Sequence, residues 1–291
     1  MADRKILLSA DTPCDIGATL IERYSVSLYP LHIILGGKQY TDNVDITPQD
    51  IFDHWRKYKE LPQTSAINPE EYRTYFEKWI ADGYDVLHVS LGSGLSVSHV
   101  NALAAAKECE EGRVYVIDSC CLSTGFGLLV CEAGERIKKG MDIQTIYEEV
   151  KALNTLNRAS FVLDTLEFLH AGGRCSSMAQ LSASMLQIKP SIIVRNDLNG
   201  SMTVGKKYMG KLDRAMLKYV DDQLAGRTDI ELDRVFITNS GIDQSILDAV
   251  EKRVLELQPF KEVFHTVASC TISAHCGPNT LGVLFLTKPG A

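Results

Sequence analysis

Short apolar runs that end in small polar or acidic residues and then feed helix-like segments recur through the first half of the chain. Lys5–Ser9 leads into Ala10-Asp11-Thr12-Pro13 and a helical pattern to about Arg23. Asp85–Ser90 leads into a glycine- and serine-rich turn and a helix from Ser98 to about Glu110. Val114–Asp118 leads into Ser119-Cys120-Cys121 and a long helix from about Ser123 to Lys139. Strands that alternate with helices are joined by right-handed crossovers and lie parallel. This part of the chain is therefore expected to be an α/β unit on a mostly parallel sheet.

Other segments fill in the scaffold. Val26–Leu35, broken by Pro30, reads as a strand that bends, and Thr47-Pro48 and Asn68-Pro69 mark helix starts, with a capping residue followed by proline at the first helical position. Regular alternation fades after residues 157–160. Beyond them Ser191–Arg195, the Asn196–Gly200 turn and Met202–Val204 read as a hairpin, with further strands at Arg234–Asn239, Glu262–Thr266 and Gly282–Leu286 and helices at Met178–Leu186 and Ile242–Leu257. A chain of 291 residues can hold two cores. We expect two domains, 1–158 on the parallel sheet and 159–291 on a largely antiparallel one.

Charge and cysteine usage exclude several classes. With 37 acidic against 30 basic residues the formal charge is −7, which argues against a nucleic-acid groove. The eight cysteines are scattered without a C-x-x-C pair, so neither a metal site nor a disulfide framework is expected. No apolar stretch has the length of a signal peptide or membrane span, and the expected location is the cytoplasm.

The chemistry-bearing candidates lie at segment ends. His88-Val-Ser-Leu-Gly92-Ser93-Gly94-Leu-Ser96 delivers a strand into small hydroxylated residues at a helix start, which offers N–H and O–H donors to an anion. The same glycines also serve a plain tight turn, and Ser96 or Ser98 a plain helix cap. Thr64 and Ser65 are adjacent donors in a connector between Pro62 and Pro69. Arg174 follows Gly172-Gly173, suited to a carboxylate or phosphate or to a surface ion pair. His275, before Cys276-Gly277-Pro278, is expected at a strand end as a donor or an acid–base group, and Asp11 is either a helix cap or a ligand-edge carboxylate.

In order and spacing these pieces resemble the DegV family of bacterial fatty-acid-binding proteins. The resemblance is carried by Ser9-Ala-Asp11-Thr12, Tyr29-Pro30-Leu31, Thr64-Ser65, Gly92-Ser-Gly-Leu-Ser96 and Val116-Ile-Asp118-Ser119, and later by Asp164-Thr-Leu166, Gly172-Gly-Arg174, Ile188-Lys189-Pro190 and His275-x-Gly277-Pro278. Two departures stand out: Gly92 where the family usually has serine, and Val97-Ser98 where it has Gly-Thr.

The resemblance implies one long-chain fatty acid held between the two domains. Its carboxylate would meet Thr64, Ser65, Ser93, Gly94, Arg174 and His275, with Asp11 behind them. It further implies no catalytic residue, no cofactor besides the bound fatty acid, presentation of that acid to a separate fatty acid kinase, and transient membrane contact for lipid exchange. Two alternatives are a serine-dependent acyl hydrolase or transferase, with Ser93 as nucleophile and His275 as base, and a non-acyl small-molecule-binding protein on the same fold. Leu95 breaks the Gly-x-Ser-x-Gly elbow that the first would use.

Overall fold

The run Lys5–Asp11 forms the first strand, β1, of a computed structural model that describes residues 4–175 and 188–290. The helix expected at Met178–Leu186 lies outside the described residues. Helix α1 (Gly17–Tyr24) returns the chain to β2 (Ser27–Tyr29), which pairs parallel with β1. The single bent strand expected over Val26–Leu35 is instead two strands in different sheets, because Pro30 lacks the N–H needed to continue a ladder. The second of them, β3 (His32–Leu35), lies antiparallel between β4 (Lys38–Thr41) and β5 (Gln63–Ser65). Thr64 and Ser65 thus sit on a short strand.

Helices α2 (Pro48–Tyr58) and α3 (Pro69–Ala81) start at reciprocal caps, Thr47 with Asp50 and Asn68 with Glu71. Such caps satisfy N–H groups that the first helical turn leaves open. Strand β6 (Tyr84–Ser90), helix α4 (Ser98–Glu108) and strand β7 (Val114–Asp118) complete a parallel sheet of order β2-β1-β6-β7. Helices α5 (Ser123–Lys138) and α6 (Ile143–Ala152) follow.

The largest sheet begins at β8 (Asn157–Arg158) and β9 (Ser160–Val162). Helix α7 (Glu167–Gly172) and strands β10 (Ile188–Arg195) and β11 (Ser201–Met209) come next, then α8 (Leu212–Leu224), β12 (Arg234–Ser240), α9 (Gln244–Leu257), β13 (Glu262–Val267), α10 (Cys270–Cys276) and β14 (Thr280–Leu286). The order is β11-β10-β9-β14-β12-β13, with β8 paired to β14, and β12–β13 is its parallel pair. The molecule is α/β with one parallel sheet and one largely antiparallel sheet, as expected, and the small antiparallel sheet β4-β3-β5 is an addition to that expectation.

Helix α5 touches both sheets, and every residue from Ser123 to Cys131 is buried, so this part of the helix has no solvent face. Its Phe126 and Leu129 belong to the same core as Leu8 and Val89 on one side and Phe161, Phe236 and Leu284 on the other. A smaller cluster, with Ile51 and Phe52 of α2, Phe168 of α7 and Cys270 of α10, braces the two helices that carry or precede the candidate residues of the second half.

Candidate ligand-binding site

Parallel pairing of β1, β6 and β7 brings Asp11, Ser90 and Asp118 to one sheet edge, where open α/β sheets gather ligands. The turn after β6 does not form the expected N–H cradle. Leu91 N–H donates to Asp11 Oδ2 at 2.9 Å and Ser93 N–H to Asp118 Oδ1 at 3.1 Å. Gly92 N–H goes to Cys121 O, Gly94 N–H to Asn199 O, and the N–H groups of Leu95 and Ser96 both to Gly92 O. Every backbone donor from 91 to 96 is therefore used inside the protein. What the turn offers is the Ser93 hydroxyl, which makes no hydrogen bond among the described residues. Gly94 serves as wall: a Cβ there would lie 2.8 Å from Asn199 O.

Asp11 acts from behind. It is fully buried, lines no cavity wall, and accepts from Tyr72 Oη at 2.6 Å as well as from Leu91 N–H. His88 Nε2 stands 3.2 Å from its Oδ1 but outside hydrogen-bonding alignment. Asp11 makes no side-chain helix cap. Asp118 holds the neighbouring loops in the same way, since its Oδ1 also accepts Cys120 N–H at 2.9 Å. Its place at the end of a strand beside β6 is the sequence signal for this role.

His275 lies near the end of α10 and not at a strand end. Its Nε2 is 2.9 Å from Thr64 Oγ1, whereas its Nδ1 is buried without a partner among the described residues. If Nδ1 carried the proton it would be a buried donor with no acceptor, so the bond network assigns the proton to Nε2. The ring then donates to Thr64 Oγ1, and the Thr64 O–H is left to point at a further acceptor. Burial, with the positive charge of Arg174 nearby, holds the imidazole down to about 4. The ring is therefore neutral near pH 7. Gly172 is what lets it sit there, since an added Cβ would lie 2.3 Å from Nδ1.

Thr64, Ser65, Ser93, Gly94, Arg174 and His275 all line one cavity of about 500 Å³. That size is typical of a small-molecule pocket. Arg174 is exposed at its edge, with Nη1 donating to Gly172 O at 2.6 Å. Among the described residues the Ser93 hydroxyl bonds neither imidazole nitrogen of His275, since Nε2 donates to Thr64 and Nδ1 is buried without a partner. The arrangement lacks the nucleophile–base hydrogen bond of a serine hydrolase.

Sequence reading missed the rest of the lining, which contains many hydroxyl residues among Leu31, Phe161, Leu169, Met202 and Leu284. Their hydroxyls already have protein partners. Ser160 pairs with Tyr219 Oη at 2.9 Å, Thr238 with Thr124 and Thr266, and Ser240 with Ser273 at 3.0 Å. Thr271 donates to Asp42 and Ser123 to Asp15, each at 2.6 Å, and Thr280 donates to Cys276 O at 2.9 Å. Ser65 and Ser93 alone among these lining serines and threonines have hydroxyls without a hydrogen-bond partner in the described residues. The lining thus offers two free hydroxyls, at Ser65 and Ser93, among hydroxyls that already have protein partners.

The family profile described as an uncharacterised protein of the DegV family matches residues 5–288. A DegV domain-containing protein of Clostridium acetobutylicum is 28% identical over 286 residues, which span 98% of this chain and 99% of the relative. Among solved structures, a fatty-acid-binding DegV family protein from Thermus thermophilus is 29% identical with a TM-score of 0.86, covering 97% of this chain and 99% of that one. A DegV family protein from Eubacterium eligens loaded with heptadecanoic acid shares the fold at 19% identity, with a TM-score of 0.82 over 97% of this chain and all of that one. With a family match along nearly its whole length, the chain belongs to the DegV family.

Proposed function

We propose that this protein binds a long-chain fatty acid, with the carboxylate at Ser93, Ser65 and Thr64 and the acyl chain in the remainder of the cavity. The observation that carries the reading is the division of the cavity's hydroxyls into free and satisfied sets. A carboxylate needs donors not already in use, and an alkyl chain needs a wall whose polar groups are paired elsewhere. The fatty-acid binding of the Thermus thermophilus relative supports the same ligand.

The energetics fit. Each buried methylene contributes about 0.8 kcal/mol, and hydrogen bonds to a charged group about 1.5–3 kcal/mol each. Arg174 adds the cation, while the neutral His275 orients Thr64 without contributing charge. We read residues 1–158 and 159–291 as two domains that share the ligand. The protein acts as a cytoplasmic carrier that presents its acid to a separate fatty acid kinase and exchanges it by transient membrane contact. No residue of its own performs chemistry on the ligand.

Native mass spectrometry of the purified protein, combined with thermal unfolding in added fatty acid, tests this. A co-purified acyl ligand and a rise of the melting temperature with ligand concentration are expected. Absence of both overturns the reading.

A further inference from the structure

A second cavity, of about 370 Å³, has lining residues that are hydrogen-bonded to lining residues of the first. Its lining is largely apolar, from Ile16, Ile21, Leu28, Val44 and Val267, together with the carboxylates of Asp15 and Asp42. Those two carboxylates are the acceptors of the Ser123 and Thr271 hydroxyls that line the acyl cavity. At these two places a single hydroxyl–carboxylate hydrogen bond joins the lining of one cavity to the lining of the other.

These two bonds are costly to build. Asp15 and Asp42 are buried, and no lysine, arginine or histidine pairs with either among the described residues. Their other partners are the N–H groups of Ser269 and Cys270 at the start of α10. Asp15 and Ser123 also both adopt left-handed backbone conformations, with φ of 51° and 49°, where a residue with a side chain is disfavoured relative to glycine. Glycine would relieve the backbone at both positions and would remove one of the two bonds that join the linings. Strain retained together with a buried, cation-free carboxylate points to a task for these side chains beyond local folding.

We propose that the Ser123–Asp15 and Thr271–Asp42 pairs are the partition that limits the acyl cavity and thereby sets the longest fatty acid the protein accommodates. This rests on the fatty-acid reading given above. The partition keeps an alkyl chain out of an adjoining space whose walls are apolar enough to receive one. Opening it at Ser123 extends the room available to the tail while leaving in place the Asp15 and Asp42 carboxylates that hold the start of α10 under His275.

The test is a binding series of saturated fatty acids of increasing chain length against the wild-type protein, Ser123→Gly and Asp15→Gly. Both substitutions suit the existing backbone, and circular dichroism verifies that the variants are folded. For the wild type, affinity is expected to rise with length and then level off where the cavity is full. In either variant the levelling point is expected to move to longer acids, with gains of up to about fourfold per added methylene beyond the wild-type limit. A levelling point at the same length in both folded variants overturns the partition, as does loss of all binding in both, which would make these residues part of the head-group site. Failure of the wild type to bind any acid overturns instead the reading on which the partition rests.

Discussion

The Thr64 hydroxyl stands 2.9 Å from Nε2 of His275, a bond between β5 and α10 that ties together residues 211 positions apart. With the proton on Nε2, the histidine fixes which way the threonine hydroxyl points. Thr64→Val keeps the shape of the side chain, removes the donor to the ligand and leaves a buried imidazole N–H unpaired. Fatty-acid affinity is expected to fall roughly ten- to a hundredfold, measured by displacement of a fluorescent acid, and the melting temperature to fall as well.

Gly172→Ala tests the same pair from the opposite side of the ring. The new methyl would sit 2.3 Å from His275 Nδ1, so the imidazole must leave its place and release Thr64. Alanine is otherwise the better helix residue in α7. A folded variant with weakened binding is expected. Unchanged affinity would mean that the imidazole does not order Thr64.

Ser93 and Asp118 separate contact from positioning. Ser93→Ala removes a free hydroxyl but keeps the N–H that Asp118 holds, so affinity should fall by about 1.5–3 kcal/mol with little change in melting temperature. Asp118→Ala removes no residue of the cavity lining yet releases the N–H groups of both Ser93 and Cys120. It should lower affinity and melting temperature together. Calorimetric titration with parallel thermal unfolding distinguishes the two patterns.

Much of the scaffold was legible because its signals are local. Alternating strands and helices announced the parallel sheet, and Thr47-Pro48 and Asn68-Pro69 announced helix starts that the structure builds with full capping boxes. The glycine- and serine-rich turn at 92–96 was legible as a turn, but not the use of its N–H groups, because their acceptors come from β1, β7 and the segments at Cys121 and Asn199. The helix under His275 was hidden for a related reason. Cys270-Thr-Ile-Ser-Ala-His-Cys has weak helix propensity, and its first turn is held by Ser269 itself together with Asp15 and Asp42, carboxylates 254 and 228 residues away. The satisfied hydroxyls of the cavity wall were likewise invisible, since each depends on a partner chosen by the tertiary fold.

Those carboxylates give the protein a pH dependence of predictable sign. Burial pushes Asp15 up to about 7 from an ordinary value of 3.8, despite its bonds from Ser123 and Ser269. The folded state therefore holds a proton there that the unfolded state releases, so the contribution is fully present below 3.8 and is lost as pH rises through about 7. His275 works in the opposite sense, since its folded value of about 4 lies below the ordinary 6.5 and its contribution is present above 6.5 and lost as pH falls through 4. The two must be separated by substitution. Asp15→Asn keeps the shape of the group and cannot ionise, so its stability relative to wild type should rise from pH 4 to pH 7 and then level off, each kcal/mol appearing as about 2–4 °C in melting temperature. His275→Gln should show a relative gain only as pH is lowered from 6.5 toward 4. Melting temperatures of the three proteins across this range provide the check, and a flat difference between Asp15→Asn and wild type would mean that the buried carboxylate is compensated by the fold.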